Sequence, residues 1–209
     1  VIKLNRFLGL AAVVAAALSL TACDVNRIPT QEENAKRAFS DVQDAYQRRN
    51  DLVPNLVSTV QGAAIAERGT LTEVVEARAK ATSVNVDAST ITDPAKFQQF
   101  QQAQDGMSSA LGRLMVVVER YPDLKSQQGF ITLQSQLEGA ENRISIARRD
   151  YNAAAQTYNT TLRVFPQNIL ASTIHSGSKP MEYFKASAGA DKAPTVDFSG
   201  LNSNAEASK

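Results

Sequence analysis

The chain has 209 residues, 43% of them hydrophobic and 21% charged, with a formal net charge of +1. That length suffices for one domain with a real core, and the near-neutral balance gives no sign of the clustered basic surface that nucleic-acid binding requires. The single cysteine excludes an intramolecular disulfide, while plentiful alanine and glutamine favour helix.

Lys3 and Arg6 precede an apolar run over residues 7–20. At about 14 residues the run has the length of a signal-peptide core and falls short of the roughly 20 that a spanning helix needs. Leu20-Thr21-Ala22-Cys23 follows and resembles the bacterial lipobox: an aliphatic residue three before the cysteine, small residues between, cysteine at the cut. The reading is a signal peptide over residues 1–22, with palmitate-type acyl chains on Cys23. Two or more chains, at about 0.8 kcal/mol per buried CH2, anchor stably where one does not. Asp24 resembles the sorting residue that keeps such proteins at the inner membrane of Gram-negative bacteria.

Residues 31–82 carry apolar side chains at steps of three and four, from Ala35, Phe39, Val42 and Tyr46 through Val53, Leu56 and Val60 to Leu71, Val74 and Ala81. The stripe passes Pro54 and Gly69 in phase, which predicts one helix continuous through a kink near Pro54 and about 75 Å long. A break there, with Asp51 capping a new helix, is the rival. A loop over residues 83–93 ends in Thr92-Asp93-Pro94, a capping oxygen followed by proline at the first helical position. Phe97, Phe100, Ala103, Met107, Leu111, Leu114 and Val118 stripe the second helix, which Tyr121-Pro122-Asp123 ends. The third starts near Ser126 and stops before Pro166, with Phe130, Leu137, Ile144, Tyr151, Tyr158 and Leu162 on its stripe. A short helix over residues 167–174 is expected next. The tail turns to Ser, Gly, Ala, Lys and Asn, a composition that favours disorder. Two islands interrupt it, Met181-Glu182-Tyr183-Phe184 and Pro194-Thr195-Val196-Asp197-Phe198, and docking back on the same chain is their expected role.

Several stretches together resemble one family. They include Asn26-Arg27-Ile28-Pro29, Tyr46-Gln47-Arg48-Arg49-Asn50-Asp51-Leu52-Val53-Pro54-Asn55-Leu56-Val57 and Tyr121-Pro122-Asp123-Leu124-Lys125. Leu137-Glu138-Gly139-Ala140-Glu141-Asn142-Arg143-Ile144, Ala147-Arg148-Arg149-Asp150-Tyr151-Asn152 and Phe165-Pro166 continue the series. In this order they are similar to the LemA family over residues 26–166, with a weaker echo to Phe198. The resemblance implies an up-and-down helical bundle displayed outside the cytoplasmic membrane, of unsettled molecular activity. Many members keep an uncleaved membrane helix where this chain has a lipobox. A TPM-domain protein is a partner the resemblance implies at family level only.

The sharpest internal feature is charge on the stripes. Arg49 stands where an apolar residue belongs, three after Tyr46, and Glu67 and Arg78 do likewise further on. Glu141 and Arg148 lie seven apart on the third helix and so nearly in line. Arg48, Asp51, Glu138 and Arg143 are close by in sequence. The favoured reading is a buried ion-pair network that fixes helix register; the other is a polar groove for a ligand or a partner's terminus. Glu138-x-x-Glu141 lacks the histidines of a carboxylate-bridged metal pair, and His175, the one histidine, stands in the tail. No nucleophile elbow, P-loop or dinucleotide fingerprint is present.

The expected fold is therefore all-α: an up-and-down bundle of three to four long antiparallel helices over residues 31–174. A lipidated linker at 23–30 precedes it and a mostly disordered tail at 175–209 follows. The expected function is a lipid-anchored scaffold or adaptor on the extracytoplasmic side of a membrane, with no enzymatic activity, no metal and no cofactor. Its partners are the membrane and an envelope protein, and self-association is left open. The alternative is an accessory or ligand-binding subunit that regulates an envelope enzyme.

Overall fold

The structure, a computed structural model, describes residues 25–63, 67–87 and 89–185. Cys23, Asp24 and the island at 194–198 lie outside the described residues. The fold is an all-α bundle. Its long helices are α1 (Arg27–Ala63), α2 (Arg68–Ser83), α3 (Pro94–Val118) and, after the short α4 (Pro122–Lys125), α5 (Gln128–Thr161). The short α6 (Gln167–Thr173) closes the helical part. Directions alternate. Phe39 meets Tyr151 and Arg49 meets Glu141, so α1 and α5 are antiparallel. Glu67 meets Arg120 and Glu73 meets Arg113, so α2 and α3 are antiparallel as well.

The boundaries follow local chemistry. The Asp93 carboxylate accepts from the backbone N–H groups of Ala95 and Lys96 at 2.9 and 3.2 Å, and Pro94 occupies the first helical turn, as its fixed φ allows. In the loop before it, Asp87 accepts from the Ser89 hydroxyl and N–H at 2.6 and 2.8 Å and faces Lys96. The Ser89 hydroxyl above all holds this exposed carboxyl down to about 2. α1 begins at Arg27 with Ile28 fully buried, which shortens the linker expected at 23–30.

The single long helix expected over residues 31–82 is two. The chain runs helical through Pro54 but reverses between Ala63 and Arg68. The proof is a contact: Arg78 Nε donates to the Asn50 carbonyl at 3.0 Å across 28 residues. In one straight helix those residues would lie about 42 Å apart. The stripe kept phase through the reversal because both halves bury the same face in the same core. The first helix is accordingly about 55 Å long rather than 75 Å.

That contact also explains how proline is tolerated inside α1. Pro54 has no N–H to give the carbonyl four residues back, and that carbonyl belongs to Asn50, which is buried. The Arg78 guanidinium supplies the missing donor from the next helix. Arg78→Met should therefore destabilise by about 1–3 kcal/mol in the parent chain, the usual range for a buried acceptor left unmade. It should do so less in a Pro54→Ala background, where the helix supplies its own donor. Urea melts of the four proteins in that cycle test this; equal losses in both backgrounds would sink it.

Two apolar cores fill the bundle. The first gathers Val53, Leu56 and Val60 of α1 with Val74 of α2, Leu111 and Leu114 of α3 and Phe130 of α5. The second gathers Phe39, Val42 and Tyr46 with Phe97, Phe100, Ile144, Tyr151 and Tyr158. α2 reaches only the first. In the second its place is taken by Ile91 of the loop and by Met181 and Phe184 of the tail. The tail expected to be mostly disordered from residue 175 instead packs on the bundle, with Met181 and Phe184 in the core. The first island docks on its own bundle.

Candidate functional site: a polar seam and the groove above it

Between the two cores lies a polar layer. On α1 the core positions run 35, 39, 42, 46, 49, 53, 56 and 60, a heptad seam in which Arg49 is the one charged member. α3 repeats the pattern at 97, 100, 104, 107, 111, 114 and 118, with Gln104 as the polar member. α2 contributes Arg78 between Val74 and Ala81, and α5 contributes Glu141 between Leu137 and Ile144. Each long helix carries a polar side chain at this level.

Arg49 is fully buried. Its Nη1 donates to Ser108 Oγ at 2.7 Å and to Glu141 Oε1 at 3.1 Å; its Nη2 donates to Gln104 Oε1 at 2.7 Å and the Gln104 carbonyl at 3.3 Å. The guanidinium also lies 5.1 Å from the Tyr46 ring centroid. Gln104 in turn donates from Nε2 to the Ala81 carbonyl at 3.2 Å, one of the orphan acceptors at the end of α2. One arginine thereby ties α1 to α3 and α5, and through Gln104 to α2. Its Nε and the Tyr46 hydroxyl are buried without a partner.

A groove of about 510 Å³ opens directly above the seam. Asp105 and Ser108 of α3 form one wall, Glu141 and Arg148 of α5 the other, Tyr46 the floor, and Phe184 and Lys185 the closed end. Burial raises the Tyr46 phenol above its ordinary value, against the pull of the Arg148 and Arg49 charges, so it stays a neutral donor. Arg148 donates from Nη2 to the Lys185 carbonyl at 2.7 Å, lies 3.6 Å from Asp105 and stacks its guanidinium 4.8 Å from the Phe184 ring centroid.

The tail segment at the closed end is held by amides. Asn159 donates to the Met181 carbonyl and accepts from the Met181 N–H, both at 2.8 Å. Seven residues earlier, Asn152 does the same for Phe184, with both bonds at 2.9 Å. Tyr151 donates its hydroxyl to the Glu182 carbonyl at 2.9 Å, and the Glu182 N–H reaches the Ile91 carbonyl at 2.8 Å. We call residues 181–185 the strap.

The structure divides the charged residues singled out in the sequence. Arg49 and Glu141 meet in the seam, and Glu141 and Arg148 line the groove. Arg48 and Arg143 sit together elsewhere, in a hollow of about 450 Å³ with Asp41, Asp44 and Asp150. Asp51 is exposed and accepts from Gln47 at 2.7 Å; Glu138 is exposed and accepts from Gln134 at 3.0 Å. Glu67 accepts from Arg120 and from the Tyr121 hydroxyl, each at 3.1 Å. Sequence reasoning missed Gln104, because Ala103 was the apolar choice for that turn; the strict alternation of three and four from Phe97 points to Gln104. It also missed Asp105, Ser108 and Lys185, which no periodicity marks. Among the described residues no group of three or more His, Cys, Asp or Glu side chains gathers as metal ligands.

The class of protein this defines is an antiparallel helical bundle with a buried polar layer and a groove above it. The LemA family profile matches residues 38–198, and the chain belongs to the LemA family. Similar proteins include magnetosome protein MamQ 2 of Paramagnetospirillum magneticum, 29% identical over 79% of this chain and 66% of that protein. Magnetosome protein MamQ of Magnetospirillum gryphiswaldense is 27% identical over 76% and 64%, and protein LemA of Metamycoplasma hominis 25% identical over 70% and 63%. The chain thus spans just under two thirds of the length of these relatives.

Proposed function

We propose that this protein is a lipid-anchored LemA-family adaptor that stands on the extracytoplasmic face of a membrane and presents the groove to an envelope protein. The observation that carries the adaptor reading is the groove over the seam. Its base is fixed by hydrogen bonds from every long helix, and its rim offers both signs of charge, Arg148, Arg149 and Lys185 against Glu141 and Asp105. A rigid, two-signed groove suits a polypeptide segment, whose own charges and amides alternate. The anchor rests on the lipobox at Cys23, with Asp24 setting inner-membrane retention. No helix among the described residues is long and apolar enough to cross a membrane.

The second reading, an accessory subunit that regulates an envelope enzyme through a bound ligand, draws on the Tyr46 hydroxyl, buried without a partner at the groove floor. A photo-crosslinker placed at Ser145, exposed on the groove wall, tests both in intact cells, with Val116, exposed further along α3 and outside the groove, as the control. A discrete protein adduct from position 145, lost on reversing the charge of Arg149 and Lys185, is the expected result. Equal adducts from both positions, or turnover of an envelope substrate by the purified chain alone, would overturn the adaptor reading. For the anchor, an alkyne palmitate analogue should label the parent chain and leave Cys23→Ser unlabelled.

A further inference from the structure

We infer that the corner where α5 turns into α6 is a membrane-contact surface, seated in the headgroup region of the bilayer; this rests on the proposed anchor at Cys23. Within eleven residues this corner exposes four large apolar side chains: Val164 at 40%, Phe165 at 78%, Ile169 at 52% and Ile174 at 63%. Apart from Tyr183 in the strap, the other large apolar side chains exposed among the described residues, such as Val75, Val116 and Ile146, are scattered singly over the long helices. Single exposed apolar residues need no explanation, whereas a run of them marks a contact surface. The inward side of α6 is already spent, since Leu170 and Ala171 pack on the second core. What remains outward is unpartnered.

The place of this corner identifies what covers it. His175 Nε2 lies 3.2 Å from the Val25 carbonyl, which ties the corner to the start of the described chain. Cys23 is two residues before Val25, a reach of at most about 7 Å. Acyl chains on Cys23 would therefore hold Val25, His175 and the adjoining Ile174 at the bilayer surface. Charge agrees with this orientation. No acidic residue occurs between Asp150 and Glu182, and that stretch carries Arg163 and Lys179, both exposed. Glu32 and Glu33 on the first turns of α1 are engaged by Lys36 at 2.9 and 2.8 Å. An apolar tip flanked by cations is the pattern of a side that enters an anionic interface. The bundle then stands on its second core, with the reversal between α1 and α2 at the far end.

The test uses the full lipidated chain in vesicles of phosphatidylethanolamine and phosphatidylglycerol. Ile169→Cys and, separately, Val116→Cys receive an environment-sensitive fluorophore; Cys23 does not compete for it while its thiol carries lipid. The expected result is a blue shift and loss of most emission to a lipid-borne quencher at position 169, with neither at 116. Unchanged emission at 169 on a chain that sediments with vesicles overturns the corner and leaves the anchor standing. A blue-shifted label that the lipid quencher does not reach means that a second copy covers the corner, and also overturns it. A chain that stays in the supernatant, with the fluorophore found on Cys23 as well, overturns the anchor and this inference with it. Both substitutions fall on exposed positions, and an unaltered helical melt confirms the fold in each.

Discussion

Arg49→Ala is expected to lower stability by about 3–5 kcal/mol, the range for truncating a large, fully buried side chain to alanine. In a domain of this size that corresponds to a fall in melting temperature on the order of 10 °C. The loss has two parts. A fully buried side chain leaves a void between the two cores, and Gln104 keeps a buried amide oxygen whose donor has gone. Glu141→Gln should cost less, about 1–3 kcal/mol: an amide oxygen there can still accept from Nη1, but the fully buried guanidinium loses its counter-charge. The two partners of one ion pair should differ because only the loss of Arg49 also leaves a void. Arg49→Met keeps the volume but still strands Gln104, and belongs between the two. Pairing it with Gln104→Leu removes both halves of the buried polar contact, and such replacements are often neutral or stabilising.

If the seam exists to fix register, that apolar double variant should melt at or above the parent while losing uniqueness. Two continuous apolar cores let the helices slide by a heptad or recruit a second copy. Light scattering after gel filtration would then show mixed association states, and amide NMR spectra would show doubled or broadened peaks. A double variant less stable than either single change, with one sharp set of peaks, would mean that the seam serves stability and not register.

Arg49 could be read from the sequence because it breaks a rule at one position of an otherwise regular stripe. Arg78 could be read for the same reason, but not its role. Its role depends on α2 folding back on α1, and apolar phase is blind to reversal: a hairpin and a rod present the same spacing. Asp93 and Pro94 were readable because capping is local, settled within four residues. The groove was not, since its walls come from α3 and α5 and its end from residues 184 and 185, brought together only by the bundle. Arg48 and Arg143 show the converse error. Nearness in sequence to Arg49 and Glu141 gathered them into one cluster, yet one step along a helix turns a side chain by roughly 100°, and they emerge on another face. Asn152 and Asn159 serve the strap, a partner that composition alone assigns to a disordered tail.

The strap supplies the other large effect. Phe184 is buried against Phe97 at 4.8 Å and Tyr151 at 5.5 Å between ring centroids, so Phe184→Ala should destabilise by about 3 kcal/mol or more. The strap differs from a core helix in one respect: it can leave. Each loss is therefore capped at the free energy with which residues 181–185 dock, and the variants should not add. Asn152→Asp and Asn159→Asp each replace an amide donor by a carboxylate that faces a backbone carbonyl. Each should approach the same ceiling, and combining either with Phe184→Ala should add little. Hydrogen exchange reads this directly. The Met181 and Phe184 amides, protected by the two asparagines, should exchange freely in Phe184→Ala while α5 amides stay protected. Release also removes the closed end of the groove and unseats Arg148, which stacks on Phe184 and donates to the Lys185 carbonyl. The crosslink from position 145 should then be lost from a bundle that is still folded. A Phe184→Ala protein whose strap amides exchange as slowly as those of α5 would show that the strap is no separable element. Cutting the tail after Ile174 cannot test partner contact alone, because it removes Met181 and Phe184 from the second core; a cut meant for that question belongs beyond Lys185.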